Sequence, residues 1–196
     1  MTTRLVVLAS GNGSNLQAII DACETQALYA QVVGVVSDNH HAFALQRAAQ
    51  HNIACHIVDA ANTSRNEFNV QLASAVQAFQ PDIVVLAGFM RLLTMDFLAH
   101  FPQRVINVHP ALPGELPGTH AIARAFDEFV AGKRTHTGVM VHFVSDEGVD
   151  NGPVIESAIV PIHPSDSLAD LEQRMHATEH QLLINALTQL TKEHTP

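Results

Sequence analysis

Asn107 and His109, in the stretch RVINVHP at 104–110, are the residues of this chain whose types and spacing most directly suggest chemistry. The apolar run around them reads as a strand, and residues two apart in a strand project from the same face. Pro110 ends the run, so an amide and an imidazole emerge together at a strand end. An amide can donate to a developing oxyanion and an imidazole can move a proton near neutral pH, a pairing that suits reaction at a carbonyl. Such an imidazole needs a carboxylate to orient it and hold its charged form. The turn-rich segment SDEGVDNGP supplies Asp146, Glu147 and Asp150, and its composition leaves the choice among them open. No GxSxG occurs and no Ser or Cys nucleophile is signalled, which favours direct transfer to a bound acceptor over a covalent acyl-enzyme.

Two further stretches carry binding chemistry. Ser10-Gly11-Asn12-Gly13-Ser14-Asn15 follows a β-rich run and opens a helix. Glycines let a ligand approach the backbone, and a helix start offers unpaired N–H groups to an anion. The motif is neither GxGxxG nor a Walker loop, so it reads as a phosphate cradle or as an ordinary strand–helix turn. Gly88-Phe89-Met90-Arg91-Leu92 follows the run IVVLA. Its apolar residues read either as core or as the wall of a slot for a flat ligand whose carboxylate meets Arg91. His142 lies inside an alternating strand pattern, where a structural histidine is the ordinary reading.

The elements that position these residues alternate. Strands are expected at Arg4–Ala9, Val32–Val36, Ile53–Val58, Ile83–Ala87 and Val105–Val108. Helices are expected at Asn15–Cys23, Ala42–His51, Asn66–Phe79 and Thr94–His100, from apolar spacing of three and four. Short connections between such units imply an α/β fold, a doubly wound and mostly parallel sheet, with ligands at the carboxyl ends of its strands. A helix follows at His120–Ala131. The strands Gly138–Val144 and Val154–Val160, joined by a loop, add antiparallel to the sheet. Ser167–Leu190 closes the chain as a long helix capped by Ser167 or Asp166. The 196 residues read as one domain, with a nucleotide- or phosphate-binding half at 1–100 and a catalytic half at 101–196.

A formal charge of −9 argues against a nucleic-acid partner and requires any anionic ligand to be held by local N–H groups and a few cations. No apolar run approaches the ~20 residues of a bilayer span, and the N-terminal run is too short for a secretory signal, so no membrane partner and a cytoplasmic location are expected. Cys23 and Cys55 lack metal spacing and read as buried or half-buried thiols. His40, His41, His163 and His194 sit in polar or terminal contexts, and no metal is expected.

GNGSNLQAI, DIVVLAGFMRLL, INVHP, PGTHA, GVMVHFVSDEGVDNGPVI and ATEH follow one another in an order and spacing that resembles the formyltetrahydrofolate-dependent formyltransferases. Within that family the chain is most similar to the branch acting on glycinamide ribonucleotide. The resemblance spans nearly the whole chain. It implies transfer of the formyl group of 10-formyltetrahydrofolate to the amine of glycinamide ribonucleotide in purine biosynthesis, without a metal. It implies that Asn107, His109 and Asp150 form the catalytic group, with His109 protonated and His142 and Ser145 in support. Gly11, Asn12, Gly13, Ser14, Asn15 and Glu179 would hold the ribonucleotide. Arg65, Met90, Arg91, Leu92, Leu93, Asn107 and Val144 would meet the folate. The protein would act as a monomer or homodimer.

The chain departs from the family after INVHP. It reads ALPGELPG, with Ala111 for a serine, Pro113 one place early, and Glu115 where a basic residue is common. A glutamate there is expected to add negative charge near two anionic ligands. A formyltetrahydrofolate hydrolase, a formyltransferase for another amine, and a non-catalytic nucleotide-binding module are the competing readings.

Overall fold

The computed structural model describes residues 2–61 and 63–192; His194 lies outside them. Seven strands form one sheet: β1 (Thr3–Leu8), β2 (Ala30–Ser37), β3 (Cys55–Ile57), β4 (Ile83–Leu86), β5 (Val105–His109), β6 (His136–Phe143) and β7 (Val154–Pro161). Their order is β3-β2-β1-β4-β5-β6-β7. The first five are parallel; β6 adds antiparallel to β5, and β7 antiparallel to β6. The helices are α1 (Ser14–Glu24), α2 (Phe43–Gln50), α3 (Arg65–Gln77), α4 (Met95–Leu98), α5 (Ala121–Val130) and α6 (Leu168–Lys192).

The sheet carries an apolar layer on each face, set by strand alternation. Leu5 and Val7 of β1 pack with α1, α2 and α6, while Val6 and Leu8 pack with α3 and α4. Both faces of the central strands are therefore covered, which is why these strands read as unbroken apolar runs. A Ser64–Glu67 capping box starts α3, and Ser167, not Asp166, caps α6 through the amide of Asp170. Asp166 instead pairs with Arg174 at 2.7 Å.

The departures from expectation are local. β3 is shorter than Ile53–Val58 because it is an edge strand paired only to β2. Cys55, on that edge, is exposed rather than half-buried. The helix expected at Thr94–His100 is a single turn. β6 begins two residues early because pairing with β7 runs out to His136↔Pro161.

Chain order reverses between β1 and β4: β1 leads outward to β2, and the chain then returns to lay β4 on the other side. The loops leaving β1 and β4 thus diverge from one point, where Ser10 N–H donates to Gly88 O at 3.1 Å. Such a switch point leaves a crevice beyond the strand ends. β5 lies next to β4, and its end delivers Asn107 and His109 to the same crevice.

Candidate active site

A cleft of about 540 Å³ occupies this crevice. Its wall includes Gly11 to Asn15, Gly88 to Leu93, Asn107, His109, His142, Val144, Asp150, His176 and Glu179. Arg65 and Ser145 do not line it. Arg65 donates to Leu93 O at 3.2 Å and pairs at 3.4 Å with Glu147, which does line the cleft.

Asp150 is the carboxylate that the composition of its loop left unresolved. One oxygen, Oδ1, accepts from Asn107 Nδ2 at 3.0 Å, and the other, Oδ2, accepts from the Gly118 amide at 2.8 Å and lies 3.2 Å from His109 Nδ1. Asp150 has a left-handed backbone, φ 52°, and at Gly152 a Cβ would collide with the Phe143 carbonyl, which explains the glycine in the D-x-G-P pattern. Burial would raise the Asp150 carboxyl, but the Gly118 amide and the imidazoles of His109 and His142 beside it, the latter with Nε2 3.7 Å from Oδ1, hold it below the usual carboxylate range. Asp150 is therefore the ionised member of the group.

His109 differs from expectation. Burial pushes it below the ordinary imidazole value, although Asp150 and the Leu116 carbonyl pull it upward. At neutral pH the ring rests neutral, not protonated, because a residue 4% exposed has lost most of the water that would stabilise its charge. Its two nitrogens face Asp150 Oδ2 and, at 3.1 Å, Leu116 O. Both partners only accept. A neutral ring can fill one of these contacts, and a ring that gains a proton fills both.

His142 stands directly opposite Asn107 in the antiparallel pair of β5 and β6. Its Nδ1 lies 2.9 Å from Phe143 O and so carries the proton, leaving Nε2 to accept from Asn107 Nδ2 at 3.2 Å. The Asp150 carboxylate fixes the amide orientation of Asn107 from the other side. Both Asn107 N–H bonds are thus engaged at rest, so Asn107 is not the free donor that its strand-end position suggests.

At the far end of the cleft, α1 starts at Gly13, whose φ of 76° requires glycine and whose α-carbon faces Ala44 so closely that a Cβ would overlap it. No side chain caps this helix, so its first amides face the cleft unclaimed. Arg47 anchors the loop by donating to Asn12 O at 2.9 Å. Asn15 donates to Glu179 at 3.1 Å, and Glu179, 5% exposed, also holds His176 at 3.2 Å. The hydrogen bond to Glu179 raises His176 above the ordinary imidazole value. Sequence reasoning missed His176. Its signal was position i−3 to Glu179, hence the same helix face.

The 88–93 loop resolves the open choice between core and slot. Met90 and Leu92 are 61% and 51% exposed on the cleft wall, whereas Leu93 is buried. Arg91 is not a free cation: its Nε donates at 2.8 Å to Asp38, whose side chain is 6% exposed and also accepts from Ser10. Glu115 does not line the cleft, and Arg134 neutralises it at 2.9 Å, so the expected extra charge beside the ligands is absent.

Fold and site define a class. The formyl transferase family model matches residues 3–187, and the chain belongs to that family. Among its relatives, the phosphoribosylglycinamide formyltransferase of Dictyostelium discoideum is 40% identical over 205 residues, covering 97% of this chain and 99% of the relative. The Escherichia coli (strain K12) protein of the same name is 44% identical over 179 residues, covering 91% of this chain and 82% of the relative. The crystal structure of glycinamide ribonucleotide transformylase 1 from Symbiobacterium toebii superposes with a TM-score of 0.92 at 37% identity, over 98% of this chain and 89% of that one. Among the described residues no cluster of three or more His, Cys, Asp or Glu is arranged to hold a metal, and no helix is long and apolar enough to cross a membrane.

Proposed function

We propose that this protein transfers the formyl group of 10-formyltetrahydrofolate to the amine of glycinamide ribonucleotide, giving formylglycinamide ribonucleotide and tetrahydrofolate in purine biosynthesis. The observation that carries the reading is one continuous cleft. It joins an uncapped helix start to an exposed apolar loop, with His109, Asp150 and Asn107 between them. The relatives named above support the choice of reaction. The residues fit both ligands: the amides at Ser14 and Asn15 and the His176 imidazole suit a phosphate, and Glu179 suits the ribose or glycinamide portion. Met90, Leu92 and Val144 suit the flat ring of the folate. Arg65, outside the cleft, reaches its lining residue Glu147 at 3.4 Å and would meet the folate from there. The phosphorylated and polyanionic substrates suit a cytoplasmic site of action, and the chain acts as one functional unit.

The chemistry follows from the resting charges. A neutral His109 beside an ionised Asp150 is ready to receive the proton that the attacking amine loses, through water held by Asp150. The imidazolium so formed is held by two acceptors, Asp150 and the Leu116 carbonyl. Its charge stabilises the oxyanion at the tetrahedral carbon, and its proton is then delivered to the departing folate nitrogen. Asn107 turns the N–H now directed at His142 toward the oxyanion.

The test is to incubate the protein with 10-formyltetrahydrofolate, with and without glycinamide ribonucleotide, and follow folate release. Release that depends on the amine substrate is expected. Equal release without it identifies a hydrolase, and no release in either case identifies a binding module.

A further inference from the structure

The segment after β5 carries unusual backbone. Gly114, Leu116, Gly118 and His120 all have positive φ, at 78°, 44°, 81° and 58°. For leucine and histidine that conformation is strained and persists only where the surroundings over-determine it. The surroundings are visible. Glu115 N–H donates to Leu112 O at 3.0 Å, and Arg124 donates to Pro117 O at 2.8 Å. The Glu115 carboxylate meets Arg134 Nη1 at 2.9 Å, and the same guanidinium meets Glu128 of α5 at 2.8 Å and His136 O, at the start of β6, at 3.2 Å. Arg134 is 14% exposed while Glu115 and Glu128 are 38% and 39% exposed, so the guanidinium is seated in the fold and its carboxylate partners reach it from the surface. One guanidinium thus ties the loop to the end of a helix and to the sheet. The adjacent residue, Leu116, is the one whose carbonyl faces His109 Nε2, and two residues further the Gly118 amide holds Asp150.

We propose that Glu115, acting through Arg134, is a positioning residue for the transfer: their clamp holds the 111–118 segment so that the Leu116 carbonyl and Gly118 amide meet His109 and Asp150. Glu115 touches neither ligand nor reacting atom. It acts by keeping the second acceptor of the imidazolium in place. A carbonyl that drifts leaves the second N–H of a charged ring unpaired in a buried site, which disfavours the charged form. The inference rests on the proposed reaction for its kinetic readout but not for its titration readout.

The experiment uses full-length Glu115→Gln, Glu115→Ala, Arg134→Ala and the double alanine variant. Steady-state kinetics with both substrates are combined with an NMR titration of His109 without substrates and with thermal unfolding. In Glu115→Ala, kcat is expected to fall about tenfold, short of the ~100-fold that a 1 Å misplacement can cost. KM for each substrate should stay within about twofold and the His109 midpoint should move down. Glu115→Gln, which keeps an acceptor for Arg134, should lie between wild type and Glu115→Ala. The double variant should be no slower than Arg134→Ala, as expected when two residues act as one unit. Unchanged kcat and an unmoved His109 midpoint in Glu115→Ala would overturn the proposal, as would losses in the double variant that simply add. If the wild type transfers no formyl group, the proposed reaction fails, while the His109 midpoint still tests the clamp.

Discussion

Replacing Asp150 by asparagine keeps shape and removes charge, and the structure sets what that should cost. The carboxylate accepts from Asn107 Nδ2 on one oxygen and from the Gly118 amide on the other, with His109 Nδ1 at 3.2 Å. An amide has one acceptor atom, so in either orientation its NH2 faces one of those donors. The larger loss is electrostatic. At 3.2 Å and an effective dielectric of about 20, a carboxylate favours an imidazolium by about 5 kcal/mol. Water admitted by a loosened loop and the remaining Leu116 carbonyl offset part of it. About 3–4 kcal/mol should appear in the barrier, a drop in kcat of roughly 10²–10³. Two assays read the two halves of the argument. Steady-state turnover should fall by that factor with KM for each substrate little changed. An NMR titration should place the His109 midpoint below the ordinary imidazole value in the wild type and lower still in Asp150→Asn, because the group that pulls it upward has gone. A wild-type midpoint above the ordinary value, or turnover in Asp150→Asn within tenfold of wild type, would refute the account of a neutral base made cationic by the substrate's own proton.

Asn107→Ala removes an oxyanion donor and one anchor of Asp150, and kcat should fall about 10²-fold or more with KM for both substrates largely kept; near-wild-type turnover would sink the assignment. Gly13→Ala places a Cβ against Ala44 in a left-handed backbone and should cost about 2–4 kcal/mol in chemical denaturation and raise KM for the ribonucleotide more than for the folate. A pH effect on stability follows from His109. Because its folded value lies below its unfolded value, the unfolded chain binds the extra proton first, and stability declines as pH falls through the window below the ordinary imidazole value. His180 shifts in the same direction and His176 in the opposite one, so the diagnostic quantity is the difference between wild type and His109→Gln. The melting temperature of His109→Gln should fall less steeply between neutral and mildly acidic pH, and parallel curves would count against the burial argument.

How much of this was legible in the sequence depends on whether the signal was local. The strands and helices were readable, because β-branched runs such as VVGVV and three–four spacing such as that of α3 are properties of neighbouring residues. The pairing of Asn107 with His109 on one face, and the anion-ready start of α1, were fixed by period and by glycine placement in the same way. Ends were less readable where an edge decided them: β3 stops when β2 stops offering partners.

What the tertiary structure decided was everything that depends on non-local approach. Only the fold selects Asp150 over Asp146 and Glu147, since the choice rests on which carboxylate meets a strand 43 residues earlier in sequence. Only the fold shows that Arg91 is tied to Asp38, that Arg134 neutralises Glu115, and that Asn107 spends its amide hydrogens on Asp150 and His142. The charge of His109 is the clearest case. The sequence supplies an imidazole and a carboxylate, from which a resting cation follows. Burial to 4% exposure disfavours that charge, because desolvation depends on how many atoms surround a group, a quantity no local stretch of sequence contains.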